Sequence, residues 1–494
     1  MRPSAEPTVP PSPPGPVDGI APGAPIASSR RRIRRTPRPK VAAAILAAFS
    51  GIALLTAGIV QTAGGLAGPS APLAARASAG LPSPGATGAA AASPVARSAS
   101  PGASGSAPAS AMPPPSGPLA SPGDAGNGLT GTALRDARLQ ATLDRVRLKL
   151  GIPGASVTIL FPDDTSWTGV SGLANVGSRA PVTPQTAFAF ASMSKTFTSA
   201  LVIQLITAGR LHLTDSAAAY LSGLATPIDR RITIAMLLDH TSGLDDYFLN
   251  PKIDKPLQAQ PTRPWTTDQA LAYVLKPYFP PGRGWHYSNT NYLLLGLIAE
   301  RVTGQPLDVA IRSRLLDPSG LSAIWYQAKE RPRETLAHGY RLTGTKPSAK
   351  PIDLADGSGV APFRSVVTAA AGAGSLAGTT SDLARWARLL YSGQVLGPDG
   401  TAILLGGFSA TAPYKPRIAY GYGVQAITID GHASFGHSGR LLGFRGVVRH
   451  FPLDGLTIAV LTNQSRADPA EIARQLLPVA IPPPAPCPLC PMAR

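Results

Sequence analysis

The pattern of apolar and polar positions predicts strands near both ends of the region after residue 130 and helices between them. Apolar residues at helical spacing predict an amphipathic helix over 133–150, and two apolar runs predict strands at 155–160 and 166–172. From 217 to about 390 the pattern is mainly helical, interrupted by loops rich in Pro and Gly. The helices predicted within this stretch are 234–239, 267–275, 291–302, 307–315 and 381–390.

Strand patterns return in the last part of the chain. The predicted strands are 422–429, 432–437, 445–451 and 456–463, with a hairpin turn at 452–455 and a closing helix at 469–477. Together these elements predict an α+β domain over 131–480, in which N- and C-terminal strands build one antiparallel sheet flanked by helices. The helical stretch is then a mainly helical inserted subdomain, and the cleft between it and the sheet is the expected functional site.

Composition sets the first 130 residues apart. Residues 1–40 are rich in Pro, have almost no large apolar side chains and end in a cluster of arginines, which predicts a disordered, basic, cytoplasmic segment. Residues 41–67 are uncharged and mostly apolar, and they are long enough to cross a bilayer as a transmembrane helix. Residues 68–130, rich in Ala, Ser, Pro and Gly, predict a tether.

The arginines precede the apolar run, so the positive-inside rule places the C-terminal domain outside the cytoplasm, anchored in the cell membrane. A long signal peptide, cleaved near Ala75–Ala77 to give a secreted protein, is an alternative, and twin-arginine export is another. Both alternatives lead to the same side of the membrane. The basic cluster also permits nucleic-acid binding, but the adjoining apolar span favours the membrane, so we predict no nucleic-acid partner.

The formal net charge of +18 comes partly from the N-terminal cluster and partly from a mildly basic C-terminal domain. Such a domain suits an anionic cell envelope. Cys487 and Cys490 stand in a Pro-rich tail over 481–494. One Cys-x-x-Cys pair cannot supply the four ligands of a structural zinc site, so we expect no metal and no cofactor and assign the pair no catalytic role.

Ser192 and Lys195 form a Ser-x-x-Lys pattern just before the apolar, helix-forming run 200–208. On a helix, Lys195 would lie one turn from Ser192 and on the same face. A serine becomes a nucleophile when a nearby base takes its proton, and a lysine can be that base once burial lowers its pKa. Ser194 has no lysine at this spacing, so Ser192 is the candidate nucleophile. The structural alternative is an ordinary helix start capped by Ser192.

Two further segments carry polar groups suited to catalysis. Tyr287 and Asn289 stand in a Tyr-x-Asn triplet on a loop that leads into a helix. A phenol can relay a proton, and a carboxamide can bind a substrate amide. His437, Gly439 and Arg440 lie at the end of a predicted strand, where a glycine permits close backbone approach to a ligand. The structural alternatives are a helix cap for the first segment and an ordinary structural histidine for the second.

The order and spacing of Ser-x-x-Lys, Tyr-x-Asn and His-x-Gly resemble those of the serine β-lactamase and penicillin-binding-protein superfamily, in its class C-like branch. That branch includes D-alanyl-D-alanine carboxypeptidases, class C β-lactamases and related esterases. Three more segments resemble the family, namely 237–244 (Leu-Leu-Asp-His-Thr-Ser-Gly-Leu), 281–304 and 373–386. The resemblance covers about 133–478.

The resemblance implies a catalytic role for three residues and a binding role for a fourth. Ser192 would be the acylated nucleophile, and Lys195 and Tyr287 would share the work of the general base. Asn289 would bind the amide group of the substrate.

The segment after the last motif would complete the binding site. The N–H of Arg440, which follows Gly439, would join the N–H of Ser192 in an oxyanion hole. His437 stands where many family members have lysine, and a histidine is only partly charged near neutral pH. Recognition of a substrate carboxylate would then depend on Arg440 or Arg445 for a fixed positive charge.

These inferences predict an extracytoplasmic, membrane-tethered serine hydrolase that acts through an acyl-enzyme on a small-molecule or peptidoglycan-peptide substrate. Hydrolysis like that of a D-alanyl-D-alanine carboxypeptidase or β-lactamase is the first expectation, and an esterase of the same family is the second. The third is a non-catalytic envelope protein that binds peptidoglycan or a partner, although such a protein would not need serine, lysine and tyrosine together. The residues leave open the choice between peptide, β-lactam and ester, and the oligomeric state.

Overall fold

The computed structural model describes residues 131–342, 350–411 and 418–481. The predicted basic segment, membrane anchor and tether lie outside these ranges, as do Cys487 and Cys490. None of the helices within the described ranges is both long enough and apolar enough to cross a bilayer.

The helices, in chain order, are α1 (Gly131–Leu150), α2 (Lys195–Thr207), α3 (Ala217–Tyr220), α4 (Ile234–Leu238), α5 (Asp254–Ala259), α6 (Thr267–Leu271), α7 (Asn289–Thr303), α8 (Leu307–Ile311), α9 (Arg364–Ala370), α10 (Thr380–Tyr391), α11 (Gly397–Gly406) and α12 (Ala470–Ala480). Short 3₁₀ turns are Ala191–Ser194, Tyr247–Leu249 and Ala371–Ala373, and a π turn is Arg312–Leu316.

The strands are β1 (Gly154–Leu160), β2 (Ser166–Asn175), β3 (Ala180–Pro181), β4 (Phe188–Ala189), β5 (Ile324–Tyr326), β6 (Tyr340–Leu342), β7 (Pro351–Asp353), β8 (Leu376–Gly378), β9 (Ser409–Ala410), β10 (Ala419–Tyr420), β11 (Gln425–Ile429), β12 (His432–Leu441), β13 (Phe444–Phe451) and β14 (Leu456–Thr462).

Within the described residues, nine strands form one antiparallel sheet in the order β3-β2-β1-β14-β13-β12-β11-β10-β9. The N-terminal strand β1 pairs with the C-terminal strand β14, with Ala155 opposite Thr462 and Leu160 opposite Thr457. The sheet is therefore built from both ends of the domain, and the α+β prediction is confirmed.

Both faces of the centre of the sheet are covered, so every residue of β1 and β14 is buried. Successive side chains of a strand point to opposite faces. In β14, Ile458 and Val460 pack with the apolar residues of the terminal helices α1 and α12. Ala459 and Leu461 join the larger core, which also contains the apolar residues of the helical subdomain.

A small sheet of the order β4-β8-β5 lies beside the large one, and it was not predicted. Its strands are only two or three residues long, too short to show an alternating pattern. The pairing of Phe188 in β4 with Gly378 in β8 brings together two distant segments. One of them leads directly into Ser192, and the other follows Ala373.

Several predicted elements have other bounds in the structure, including the helix predicted at 267–275, which ends at Leu271, and the strand predicted at 166–172, which continues to Asn175. The strand predicted at 422–429 begins at Gln425, because Gly423 has a φ of +80° and closes a turn in which the Gly421 N–H donates to the Val424 carbonyl (2.8 Å). The strand predicted at 432–437 continues to Leu441. The helix predicted at 307–315 changes to a π turn after Ile311.

Candidate active site

Ser192 lies in the 3₁₀ turn directly before α2, and Lys195 is the first residue of that helix. The two side chains meet, with Lys195 Nζ 3.1 Å from Ser192 Oγ. Ser192 is half-buried, whereas Ser194 is buried and its Oγ accepts a hydrogen bond from the Leu376 N–H (3.0 Å). The two serines therefore have different surroundings, and Ser192 is the one beside the amine.

The residue before the serine is held in an unusual conformation. Ala191 has a φ of +51°, in the left-handed region that costs a non-glycine residue about 1–3 kcal/mol. Strand β12 passes close to this turn, since a Cβ on Gly439 would lie only 2.2 Å from the Phe190 carbonyl oxygen. Glycine at 439 thus allows the strand edge to approach the Ser192 turn.

The Lys195 side chain is fully buried and has two further partners. Its Nζ lies 2.7 Å from Asn289 Oδ1 and 2.8 Å from the Ala373 carbonyl oxygen. Burial lowers the pKa of Lys195 to about 7, although the negative charge of Asp246 opposes this shift. A lysine in this state can give up or take a proton near neutral pH.

Asn289 connects Lys195 to a carboxylate that the sequence analysis did not single out. Its Nδ2 donates to Asp246 Oδ2 (2.9 Å), while Asp246 Oδ1 accepts from the Phe248 N–H (3.1 Å). Asp246 is buried, and this burial raises its pKa, whereas Lys195 lowers it. The available signal was the adjacent acidic pair Asp245 and Asp246, placed directly after the apolar end of the 237–244 motif.

Tyr287 lies two residues before Asn289 and packs among aromatic rings. Its ring centroid is 5.0 Å from Lys195 Nζ, 4.4 Å from the centroid of His240 and 6.4 Å from that of His437. His240 Nδ1 accepts a hydrogen bond from the Ser288 N–H (3.2 Å), which fixes the segment between Tyr287 and Asn289. The structure therefore brings the Tyr-x-Asn triplet to the Ser-x-x-Lys pair.

His437 is buried, and both of its ring nitrogens have partners within the protein. Its Nδ1 is 2.6 Å from the Ser438 carbonyl oxygen, and its Nε2 is 2.9 Å from Tyr420 Oη. A carbonyl oxygen only accepts, so Nδ1 carries hydrogen, and Nε2 shares its hydrogen bond with the tyrosine hydroxyl. These contacts hold the ring within the wall of the site.

The N–H of Arg440 lies on an edge of β12 that β11 leaves unpaired. The pairing of β11 with β12 ends where Gln425 is opposite Gly436. The Ser438 N–H points to this edge, because it donates to Gln425 Oε1 (3.1 Å). Alternate N–H groups of a strand point the same way, so the N–H of Arg440 points there too.

A cleft of about 270 Å³ opens above these groups. Of the predicted site residues, Ser192, Asn289 and Arg440 line it, whereas Lys195, Tyr287, His437 and Gly439 lie outside its lining. The remaining lining residues are Ala191, Phe248, Ala370, Ala373, Gly374, Leu441, Leu442 and Ser465.

The two arginines considered for carboxylate recognition differ in their availability. Arg440 is exposed at the rim, whereas Arg445 is bound by Asp468 (2.8 Å). Among the described residues, no group of three or more His, Cys, Asp or Glu side chains is arranged to hold a metal ion. The described side chains that line the cleft therefore offer the hydroxyls of Ser192 and Ser465, the amide of Asn289 and the exposed guanidinium of Arg440, and the amine of Lys195 lies behind Ser192.

A half-buried hydroxyl beside a fully buried amine, at a cleft between a sheet and a helical subdomain, is an arrangement suited to a serine hydrolase. The beta-lactamase family model matches residues 136–480. The chain belongs to this family of serine hydrolases.

Two curated relatives carry names from the same superfamily. The chain is 30% identical over 349 residues to penicillin-binding protein 4 of Amycolatopsis lactamdurans. The aligned region covers 66% of this chain and 85% of that protein. It is 28% identical over 222 residues to a beta-lactamase of Pseudomonas fluorescens. That aligned region covers 44% of this chain and 57% of the beta-lactamase.

Solved structures share the fold. A D-stereospecific amidohydrolase from Streptomyces sp. has a TM-score of 0.59 at 24% identity and covers 71% of this chain and 98% of its own. The D-amino acid amidase from Ochrobactrum anthropi SV3 has a TM-score of 0.61 at 22% identity and covers 70% of this chain and 98% of its own.

Proposed function

We propose that this serine hydrolase forms an acyl-enzyme on Ser192 and hydrolyses amide bonds of the D-alanyl-D-alanine or β-lactam type, with ester hydrolysis as a second activity of the same site. The observation that carries the proposal is the 3.1 Å distance between Ser192 Oγ and the buried amine of Lys195. The names of the relatives, a penicillin-binding protein and a beta-lactamase, support this substrate class.

The contacts of Lys195 explain how it activates Ser192. A neutral amine has two hydrogens and one lone pair. The hydrogens bind Asn289 Oδ1 and the Ala373 carbonyl, at 2.7 and 2.8 Å, so the lone pair is left for the Ser192 hydroxyl. Lys195 thus takes the proton as Ser192 Oγ attacks the carbonyl carbon of the substrate.

The proton must then reach the leaving group. Tyr287 has its ring 5.0 Å from Lys195 Nζ, so a phenol and an amine lie side by side in the site. In the proposal they share the proton and deliver it to the departing nitrogen or oxygen, and the reverse transfer activates water for deacylation. The N–H groups of Ser192 and Arg440 bind the developing oxyanion.

Asn289 can bind substrate without releasing its protein partners. Its Oδ1 accepts from Lys195 and its Nδ2 donates to Asp246, but each atom has capacity for one more hydrogen bond. Arg440 supplies the exposed positive charge for an anionic substrate group, since His437 is buried against Tyr420. Phe248, Leu441 and Leu442 give the cleft an apolar wall for the acyl part.

Active-site labelling tests the proposal. Wild-type protein should take up a fluorescent penicillin or a fluorophosphonate, and Ser192→Ala should abolish the labelling. Ser194→Ala is the matched control and should keep it, because Ser194 Oγ binds a backbone N–H instead of the amine. A wild-type protein that takes up neither probe and hydrolyses no activated ester would be a binding protein instead.

A hydrolysis panel then separates the substrate classes. It compares a D-Ala-D-Ala peptide, a chromogenic cephalosporin, a short-chain nitrophenyl ester and a D-amino acid amide, the last because of the names of the structural neighbours. The proposal expects turnover of the peptide or the cephalosporin to exceed that of the ester at equal concentration. A preference for the ester would make the protein an esterase of this family.

We also propose that residues 41–67 hold the catalytic domain outside the cytoplasm as an uncleaved anchor. The support is the uncharged apolar run with arginines before it. The full chain should then sediment with membranes, and external protease should remove the domain from intact spheroplasts. Domain recovered in the medium, with its first residue near 78, would show signal cleavage instead.

A further inference from the structure

Asp246 is a buried carboxylate that is linked by hydrogen bonds to the amine of Lys195 through Asn289. Its Oδ2 accepts from Asn289 Nδ2 (2.9 Å), and its Oδ1 accepts from the Phe248 N–H (3.1 Å). The second bond caps the 3₁₀ turn Tyr247–Leu249 and holds the carboxylate in one place. Asp246 therefore joins the cleft wall at Phe248 to the amide at Asn289.

Hydrogen-bond chemistry fixes the orientation of that amide. A carboxylate only accepts, so the amide nitrogen of Asn289 must face Asp246. The amide oxygen then faces Lys195, where it accepts at 2.7 Å. A reversed amide would present hydrogens to the lone pair of neutral Lys195 and would draw that lone pair away from Ser192.

We propose that Asp246 is a positioning residue that, by fixing the Asn289 amide, directs the lone pair of Lys195 to the Ser192 hydroxyl. This inference rests on the proposed acyl-enzyme function of Ser192. Asp246 does not touch the reacting atoms in this role, and it acts only through Asn289 and through its charge.

The charge of Asp246 gives the proposal a measurable signature. Asp246 favours the ammonium form of Lys195 and so holds its pKa above the value that burial alone would set. Among the described residues, the other titratable groups near Asp246 include two tyrosines and Asp245. The pKa of Tyr247 and that of Tyr278 are raised by burial and by these carboxylates, so both phenols stay neutral. The phenol of Tyr287 has its ring 5.0 Å from Lys195 Nζ.

The variant Asp246→Asn separates positioning from packing. It keeps the size of the side chain but removes the charge, and an amide at 246 can either accept from or donate to Asn289. The measurement is the rate of fluorophosphonate labelling of the full chain between pH 5 and 9. The labelling rate should rise with pH and then reach a plateau, and we call the rising part the acidic limb. We expect the midpoint of this limb to move down by about 1 pH unit in Asp246→Asn, because the negative charge that favours the ammonium form of Lys195 is lost. We expect the plateau rate to fall by roughly tenfold, a small part of the 10²–10⁴ that proton transfer contributes.

Asp245→Asn is the matched control. Asp245 is the neighbouring buried carboxylate, but its Oδ2 accepts from the Leu275 N–H (2.9 Å), whereas the Asn289 side chain donates to Asp246. The same change of charge one residue away should leave the midpoint of the acidic limb within about 0.2 pH unit of the wild-type value. Equal shifts in both variants would mean a general field effect and would overturn the positioning role.

A second variant covers the case in which Asp246→Asn does not fold. Asp246→Glu keeps the charge but displaces it by one methylene, so the limb should stay in place while the plateau rate falls. An unlabelled wild-type protein would contradict the proposed function itself. If the wild type is labelled and a folded Asp246 variant has the same acidic limb and the same plateau rate, only this inference is overturned.

Discussion

Lys195 and Arg449 are both buried basic residues, and each donates a hydrogen bond to the oxygen of a side-chain amide. Lys195 donates to the amide oxygen of Asn289 at 2.7 Å, and Arg449 donates to the amide oxygen of Gln425 at 2.8 Å. In each case the amide nitrogen binds a further side chain, Asp246 in the first network and Ser438 in the second (3.3 Å). The first network joins the start of α2 to the start of α7, and the second joins β11, β12 and β13 of the sheet.

Burial acts on the two cations with different results. It lowers the pKa of Lys195 to about 7, so a large share of this amine is neutral under physiological conditions. It lowers the pKa of Arg449 only to about 10, so the guanidinium stays charged. The same kind of burial therefore yields a partly neutral amine in one network and a permanently charged donor in the other. Arg449 holds Gln425, which in turn binds the Ser438 N–H at the edge of β12.

Lys195→Arg should have the largest effect on the labelling rate, because it replaces the titratable amine of the first network with a permanently charged guanidinium like that of the second. Arginine keeps the charge and the donors but cannot be deprotonated, so Ser192 loses its base. We expect the labelling rate with fluorescent penicillin to fall by about 10³-fold or more, within the range that general-base catalysis supplies. Thermal unfolding of the same sample shows whether the fold is kept. A folded variant that retains a tenth of the wild-type rate would exclude Lys195 as the base.

The pH dependence of the wild type is the next largest effect. Only neutral Lys195 can take the Ser192 proton, and its pKa is lowered to about 7, so the active fraction rises with pH through this value. Below it, the rate of fluorophosphonate labelling should fall by about tenfold for each pH unit, and above it the rate should level off. Because Tyr287 lies beside Lys195, the measured pKa belongs to the pair. A rate that is constant from pH 5 to 9 would contradict a lysine base.

The sequence predicted the two ends of the sheet and the Ser192–Lys195 pair for the same reason, namely that short-range spacing carries the signal. The apolar pattern of 155–160 and 456–463 showed both strands, and the family motifs then joined Tyr287 and Asn289 to Lys195. The structure confirms the sheet, and the roles of the individual site residues stay predictions until the labelling experiments.

Two partners of Lys195 could not be predicted in this way. Ala373 contributes a backbone carbonyl, which every residue has, and it reaches Lys195 only because β4 pairs with β8. Asp246 acts through Asn289, which is 43 positions away in the sequence, and no local pattern shows that contact. Long-range packing, which local patterns do not record, therefore determines the surroundings of Lys195.

Arg449→Lys is the reciprocal change and should have the smallest effect on chemistry. An ammonium cannot reach both the Gln425 carbonyl (3.1 Å) and Gln425 Oε1 (2.8 Å) with the planar geometry of a guanidinium, so one buried acceptor loses its donor. We expect the free energy of unfolding, measured by urea denaturation, to fall by about 2–3 kcal/mol. Labelling of the folded variant at pH 8 should stay within about threefold of wild type, because Arg449 only supports the strand that carries the Arg440 N–H. A labelling loss as large as that of Lys195→Arg, with unchanged stability, would mean that the second network also takes part in catalysis.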